Sequence, residues 1–158
     1  MIKGSVAMDK ELGDQIWEKI WKVDWNDGMS VGIPEIDEDH KRFLSLVNEF
    51  NKAVTESAGL DEIKSKLQLI IDDTERHFSH EEILFGEWHY PEAEVHATKH
   101  ANIMKTLKGI MATISSDGHD TEWIAAGLKI KLILVNHILK EDMKYTDSHR
   151  KIKVPDAA

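Results

Sequence analysis

Seven side chains in this sequence are of types that hold metal ions, and their spacing repeats. His77 and Glu81 form a His-x-x-x-Glu pair, His96 and His100 a His-x-x-x-His pair, and Asp142 follows His137 by five residues. His40 stands alone upstream of them. On a helix, residues four apart lie one above the other at about 6 Å, so each four-spaced pair can aim two ligands at one place. His40 and His77 are 37 residues apart, as are His100 and His137. That interval carries a chain from a ligand on one helix to the same level on its antiparallel neighbour.

One histidine on an apolar stripe is ordinarily a satisfied structural residue. Five imidazoles and two carboxylates in one apolar layer are different, because a buried unpaired ion costs several kcal/mol even after relaxation. A metal removes that cost, since neutral imidazole and ionised carboxylate are the forms it binds. Seven ligands exceed one tetrahedral zinc and suit two octahedral ions bridged by carboxylates. Nitrogen and oxygen donors with open positions favour iron, with manganese or mixed loading as alternatives.

The elements that must position these groups are helices. Apolar residues recur every three or four positions in four stretches. The first runs from Ile36 through Phe43, Val47 and Phe50 to Val54, and the second from Ile63 through Leu67 and Ile70 to Leu84. The third runs from His96 through Ile103 and Leu107 to Ile114, and the last from Trp123 through Ile130 and Leu134 to about Tyr145. Asp37 and Asp61 are expected N-caps, Pro91 a first-turn proline, Asp120 or Thr121 the opening of the last helix, and Gly59, Gly86 and Gly118 the stops. Short connections between such helices imply an all-α, antiparallel, up-down-up-down four-helix bundle. Val31-Gly32-Ile33-Pro34 is too short for a strand.

One position resists this scheme. Five residues on a regular helix turn through about 140°, so Asp142 should face the flank of the stripe that carries His137. The acidic runs Glu35 to Asp39 and Asp72-Asp73 read as solvated faces, and His80, His89, His119 and His149 as structural or solvated. Residues 1–21 form an N-terminal extension, in which Leu12, Ile16, Trp17, Ile20 and Trp21 make an amphipathic pattern suited to a short helix packed on the bundle or to a protein partner. Residues 22–148 are then the di-iron domain and 149–158 a tail.

Composition narrows the function classes. With no cysteine there is no disulfide, thiolate zinc site or iron–sulfur cluster. A net charge of −9 disfavours nucleic acid. No apolar run is long enough for a membrane span, and Met1 to Lys10 lacks a signal-peptide core, so a cytoplasmic location is expected.

The strings Gly32-Ile33-Pro34-Glu35-Ile36-Asp37-Glu38-Asp39-His40, His77-Phe78-Ser79-His80-Glu81-Glu82, His96-Ala97-Thr98-Lys99-His100 and Leu134-Val135-Asn136-His137-Ile138-Leu139-Lys140-Glu141-Asp142 resemble the hemerythrin family, closest to its bacterial single-domain branch. The resemblance implies one iron on His96, His100 and His137 and another, with an open position, on His40 and His77. Glu81 and Asp142 would bridge the two, with an oxo or hydroxo group as third bridge. It further implies reversible dioxygen binding rather than catalysis, with dioxygen held as hydroperoxide on the five-coordinate iron. Leu134 is the first candidate for the dry pocket wall, followed by Phe43, Phe78 and Ile103. The family's frequent tryptophan before that leucine is Ile133 here.

Two other uses compete. A ferritin-like oxidase needs Glu-x-x-His motifs, and the chain has none. The same di-iron site could instead serve an oxygen, nitric oxide or redox sensor, or a peroxidase-like scavenger.

Overall fold

The computed structural model describes residues 10–16, 21–115, 121–146 and 149. Helix α1 spans Lys10–Ile16, α2 Pro34–Thr55, α3 Leu60–Glu87, α4 Ala93–Thr113 and α5 Glu122–Asn136. The last four form the antiparallel up-down-up-down bundle, with α2 packed on α3 and α5, and α4 packed on α3 and more lightly on α5. No described helix is long and apolar enough to cross a membrane.

The helix ends depart from the sequence expectations in instructive ways. Pro34 occupies the first turn of α2 after the N-cap Ile33, where its missing N–H costs nothing. Asp37 is therefore inside the helix, and its carboxylate accepts from the Val31 N–H at 2.9 Å and the Ser30 hydroxyl. Gly59, rather than Asp61, caps α3, and Pro91 lies in the turn before α4. Thr121 is the N-cap of α5.

The stops are made by residues other than glycine. Ser57 (φ 57°) and His89 (φ 52°) both adopt the left-handed conformation. Behind each, an N–H reaches back five residues, Ala58 to Ala53 O and Tyr90 to Phe85 O, both at 3.0 Å. These are the long hydrogen bonds of a Schellman-type C-terminus. Gly86 sits inside the last turn of α3, and Gly118 lies outside the described residues.

The last helix carries the largest departure. After Asn136 the chain stays helical but changes pitch, first to a π-helical turn over His137–Glu141 and then to a 3-10 turn over Asp142–Tyr145.

Two apolar clusters sandwich the ligand level. The larger holds Phe50, Ile63, Leu67, Leu107, Ile130 and Leu134, and the smaller closes the other end with Ile36, Phe85, Trp88, Tyr90 and Tyr145. Between α2 and α5 a close approach is enforced by Gly127, where an added Cβ would fall 1.9 Å from the Asn51 side-chain oxygen.

The stretch before α2 is part of this packing. Trp21 is 3% exposed within the larger cluster, so it is core and not a surface offered to a partner. Asn48 clamps the next residues, accepting from Val23 N–H at 2.9 Å and donating to Val23 O at 2.8 Å. Leu12 is exposed, while Trp17, Ile20 and the Ile16 side chain lie outside the described residues.

Candidate metal centre

Each bundle helix delivers its polar groups to one layer. His40 comes from α2, His77 and Glu81 from α3, His96 and His100 from α4, and His137 and Asp142 from the continuation of α5. All seven are buried. Their donor atoms gather into two groups, each within 4.8 Å: His96, His100, His137 and Asp142 in one, and His40, His77, Glu81 and Asp142 in the other.

Asp142 belongs to both groups. Its Oδ1 lies 2.9 Å from His96 Nε2 and 3.0 Å from His137 Nε2, while Oδ2 lies 3.0 Å from His40 Nε2. Glu81 spans the same gap less closely: Oε1 contacts His77 Nε2, and Oε2 stands 3.9 Å from His96 Nε2.

The π turn explains how Asp142 gets there. Its backbone N–H bonds to His137 O, five residues back. That bond absorbs one extra residue into the turn, so residues five apart align as residues four apart do on an α-helix. The expected flank position is thereby rotated onto the ligand stripe.

The donor set fits metal ions and little else. His96 and His100 Nε2 each lie 3.1 Å from His137 Nε2, three ring nitrogens converging on one point. Neutral imidazoles cannot satisfy such a triangle with their own protons. The buried His77 Nε2, His40 Nε2, both Glu81 oxygens and Asp142 Oδ2 have no hydrogen-bond partner. Unsatisfied buried polar atoms are rare enough to require an explanation, and a cation in each group supplies it.

Electrostatics differ across the layer. Burial drives His100 down to about 3, keeping the ring neutral. Burial also opposes the charged form of His40, but the Asp142 and Glu81 carboxylates beside the ring outweigh it and raise it to about 9. Burial works against the Asp142 anion too, yet the surrounding histidines hold it well below the usual carboxylate range.

Asp39 is a residue that the sequence pattern missed. It was expected on a solvated face, but its Oδ2 accepts from His77 Nδ1 at 2.8 Å. That bond fixes the tautomer and leaves Nε2 for a metal. Asp39 Oδ1 in turn accepts from Arg42 and Arg76 at 3.0 Å each, and both arginines reach Asp73, at 2.8 and 3.2 Å. The available signal was a repeated Asp-x-x-Arg, Asp39 to Arg42 and Asp73 to Arg76, each flanking a ligand histidine. Tyr145 was also missed as a site neighbour: its hydroxyl is kept protonated by burial and by the Asp142 and Glu81 charges.

The expected wall residues divide. Phe43 meets His77 edge-on at 4.9 Å and stacks on His40 at 6.2 Å. Phe78 stacks on His100 at 3.7 Å and tilts against His137 at 5.4 Å. Leu134 and Ile103 are buried in the larger core cluster, which also holds Phe78. Of the remaining histidines, His80 is half-buried with Nδ1 3.7 Å from Asp39, His89 is exposed, His149 lies against Trp88 and His119 is outside the described residues.

Comparison with known proteins agrees with this geometry. A family model described as the hemerythrin HHE cation binding domain matches residues 31–147. A myohemerythrin of Theromyzon tessulatum is 29% identical over 123 residues, covering 77% of this chain and 88% of that protein. A bacteriohemerythrin of Stenotrophomonas maltophilia is 30% identical over 127 residues, 78% of each chain. A hemerythrin-like protein of Naegleria gruberi is 26% identical over 121 residues, 77% of this chain and 88% of its own length.

Proposed function

The chain belongs to the hemerythrin family, and from that footing we propose that it binds dioxygen reversibly at a pair of iron ions held by His40, His77, Glu81, His96, His100, His137 and Asp142. The observation that carries the proposal is the unequal division of the donors. One group offers three imidazoles and the other two, with Asp142 common to both and Glu81 spanning between them. Ions held by these two groups would therefore differ by one protein ligand, which would leave room for a small molecule on the His40 and His77 side.

The iron pair, when bound, supplies dioxygen with two electrons and a coordination position. The residues supply the rest. Asp142 and Glu81 would serve both ions and offset part of their charge. Asp39 orients His77 and raises its basicity as a ligand. Phe43, against both imidazoles of the open side, keeps water from the approach, as a carrier needs if bound oxygen is to leave unchanged. Leu134 and Ile103 extend that apolar surround within the core.

The test is iron content with visible spectra, taken under nitrogen after reduction and again in air. Two irons per chain and a band that appears with air and leaves under vacuum are expected. Direct conversion to a stable oxidised form would move the function to redox sensing or peroxide scavenging. Failure to take up iron would overturn the proposal.

A further inference from the structure

A groove of about 200 Å³ opens between α3 and α4, walled by Glu75, Phe78 and Glu82 on one side and Ala97, His100 and Ala101 on the other. A donor histidine thus forms part of a surface feature. The His100 side chain is 3% exposed, and its Nδ1 lies 3.6 Å from Glu82 Oε1, too far for a hydrogen bond. That buried Nδ1 has no other partner, while Nε2, on the opposite edge of the ring, faces the convergence point with His137. Phe78 lies parallel to the ring at 3.7 Å and 6°, which holds it in this orientation. The alanines at 97 and 101 leave open a slot that larger side chains would fill. A second groove, of about 360 Å³ beside Trp25, Lys41, Leu44 and Asn48, touches none of the seven donors.

We propose that the α3–α4 groove is the port through which electrons enter the metal centre, and that its occupant is a small electron-transfer protein with a cationic face. The inference rests on the function proposed above. A carrier that works in oxygen loses electrons by slow autoxidation, and each ferric ion must then gain one electron before it can bind again. Two donor molecules, each losing one electron, restore the pair. Through His100 an electron passes from the groove to the metal within a single ring, with no gap to cross. The chain carries −9 overall. Glu82 is the charge closest to His100, while Glu75 on the same wall shares its charge with Lys108 at 3.6 Å. Such a field steers a cationic donor and repels an anionic one.

The iron-loaded protein, oxidised to the diferric form under nitrogen, would be reduced with hexaammineruthenium(II) and followed by loss of its visible absorbance. Ala101→Phe should slow this reduction about tenfold or more, because approach to one patch sets the rate. Ser45→Phe, at a residue that also lines the second groove, should leave it unchanged. Glu82→Gln should slow it about threefold at low salt, with the difference vanishing at high salt. Independently of any electron transfer, hexaamminechromium(III) should broaden the Ala97 and Ala101 methyl resonances of the protein as purified.

A rate insensitive to Ala101→Phe, equal slowing by both plugs, or broadening elsewhere would overturn the port while leaving oxygen binding intact. Failure to load iron would instead overturn the function and the port together. Should Ala101→Phe not fold, Glu82→Gln and the broadening map carry the same decision.

Discussion

The two halves of the metal centre are built by different means. On the His40 and His77 side, order comes from charge: His77 is fixed by Asp39, itself held by two arginines that also grip Asp73. On the His96, His100 and His137 side, order comes from rings and backbone: Phe78 lies flat on His100, Phe85 packs on His96 at 4.7 Å, and a π turn presents Asp142. The side expected to receive a small molecule is thus the one with a tunable electrostatic support. The three-histidine side is held mainly by packing, which resists displacement.

Asp142 is where the two strategies meet, so its removal should have the largest effect. Asp142→Ala is expected to abolish binding of both ions. His96→Ala, confined to one half, should leave the other able to hold a single ion. Metal counts per chain check this, and retention of two ions by Asp142→Ala would dissolve the distinction between a shared ligand and a local one. Deletion of Leu139 from the π turn leaves His137 and the carboxylate four residues apart, a spacing that a regular α-helical turn aligns, so this variant should still hold two ions where Asp142→Ala does not.

Much of this was legible in the sequence because helical period and metal chemistry speak in fixed spacings. The pairs at 77/81 and 96/100 announce both a helix and a site. Asp142 was legible as a residue but not as a geometry, since no spacing rule reports a change of pitch at residue 137. Asp39 was invisible for a different reason. An acidic residue beside other acidic residues reads as solvated, and only the packing of α2 on α3 shows that one of the four in Glu35 to Asp39 faces inward.

Titration of the iron-free chain should separate the halves next. His40, raised to about 9 by the carboxylates, contributes stability that is fully present below about pH 6.5 and lost as pH rises through about 9. The shift corresponds to on the order of 3 kcal/mol. His100, lowered to about 3 by burial, works in the other direction: stability is intact above about pH 6.5 and eroded as pH falls toward 3. Urea midpoints across pH should show both limbs. His40→Gln should flatten the alkaline one, His100→Gln the acidic one, and iron loading should suppress the alkaline limb because bound imidazoles are already neutral. A single limb common to both variants would show that the halves titrate as one.

Asp39→Asn tests the electrostatic support alone. It keeps the shape beside His77 but removes the charge, and should weaken metal binding about 10- to 100-fold. Phe78→Leu on the packed side should act mainly on stability, by about 1 kcal/mol, with little change in affinity. Competition with a chelator, set against thermal unfolding, distinguishes the two outcomes, and equal affinity losses would mean that both halves depend on the same kind of support.

The smallest effect concerns how α3, which carries two ligands of the charged half, is brought to an end. His89 holds a left-handed backbone (φ 52°) immediately after that helix, a conformation that costs a residue with a Cβ about 1 kcal/mol relative to glycine. Its ring is exposed, so nothing in the packing compensates. His89→Gly should therefore stabilise the protein by about 0.5–1 kcal/mol, raising the unfolding midpoint by a few degrees without altering iron content. Ser57→Gly, at the same kind of stop after α2, should behave alike, because α2 and α3 are the two helices that the Asp39 network ties together. If either glycine variant instead lowers metal affinity, the helix ends are positioning the ligands, and the charged half owes its order to its turns as well as to its ion pairs.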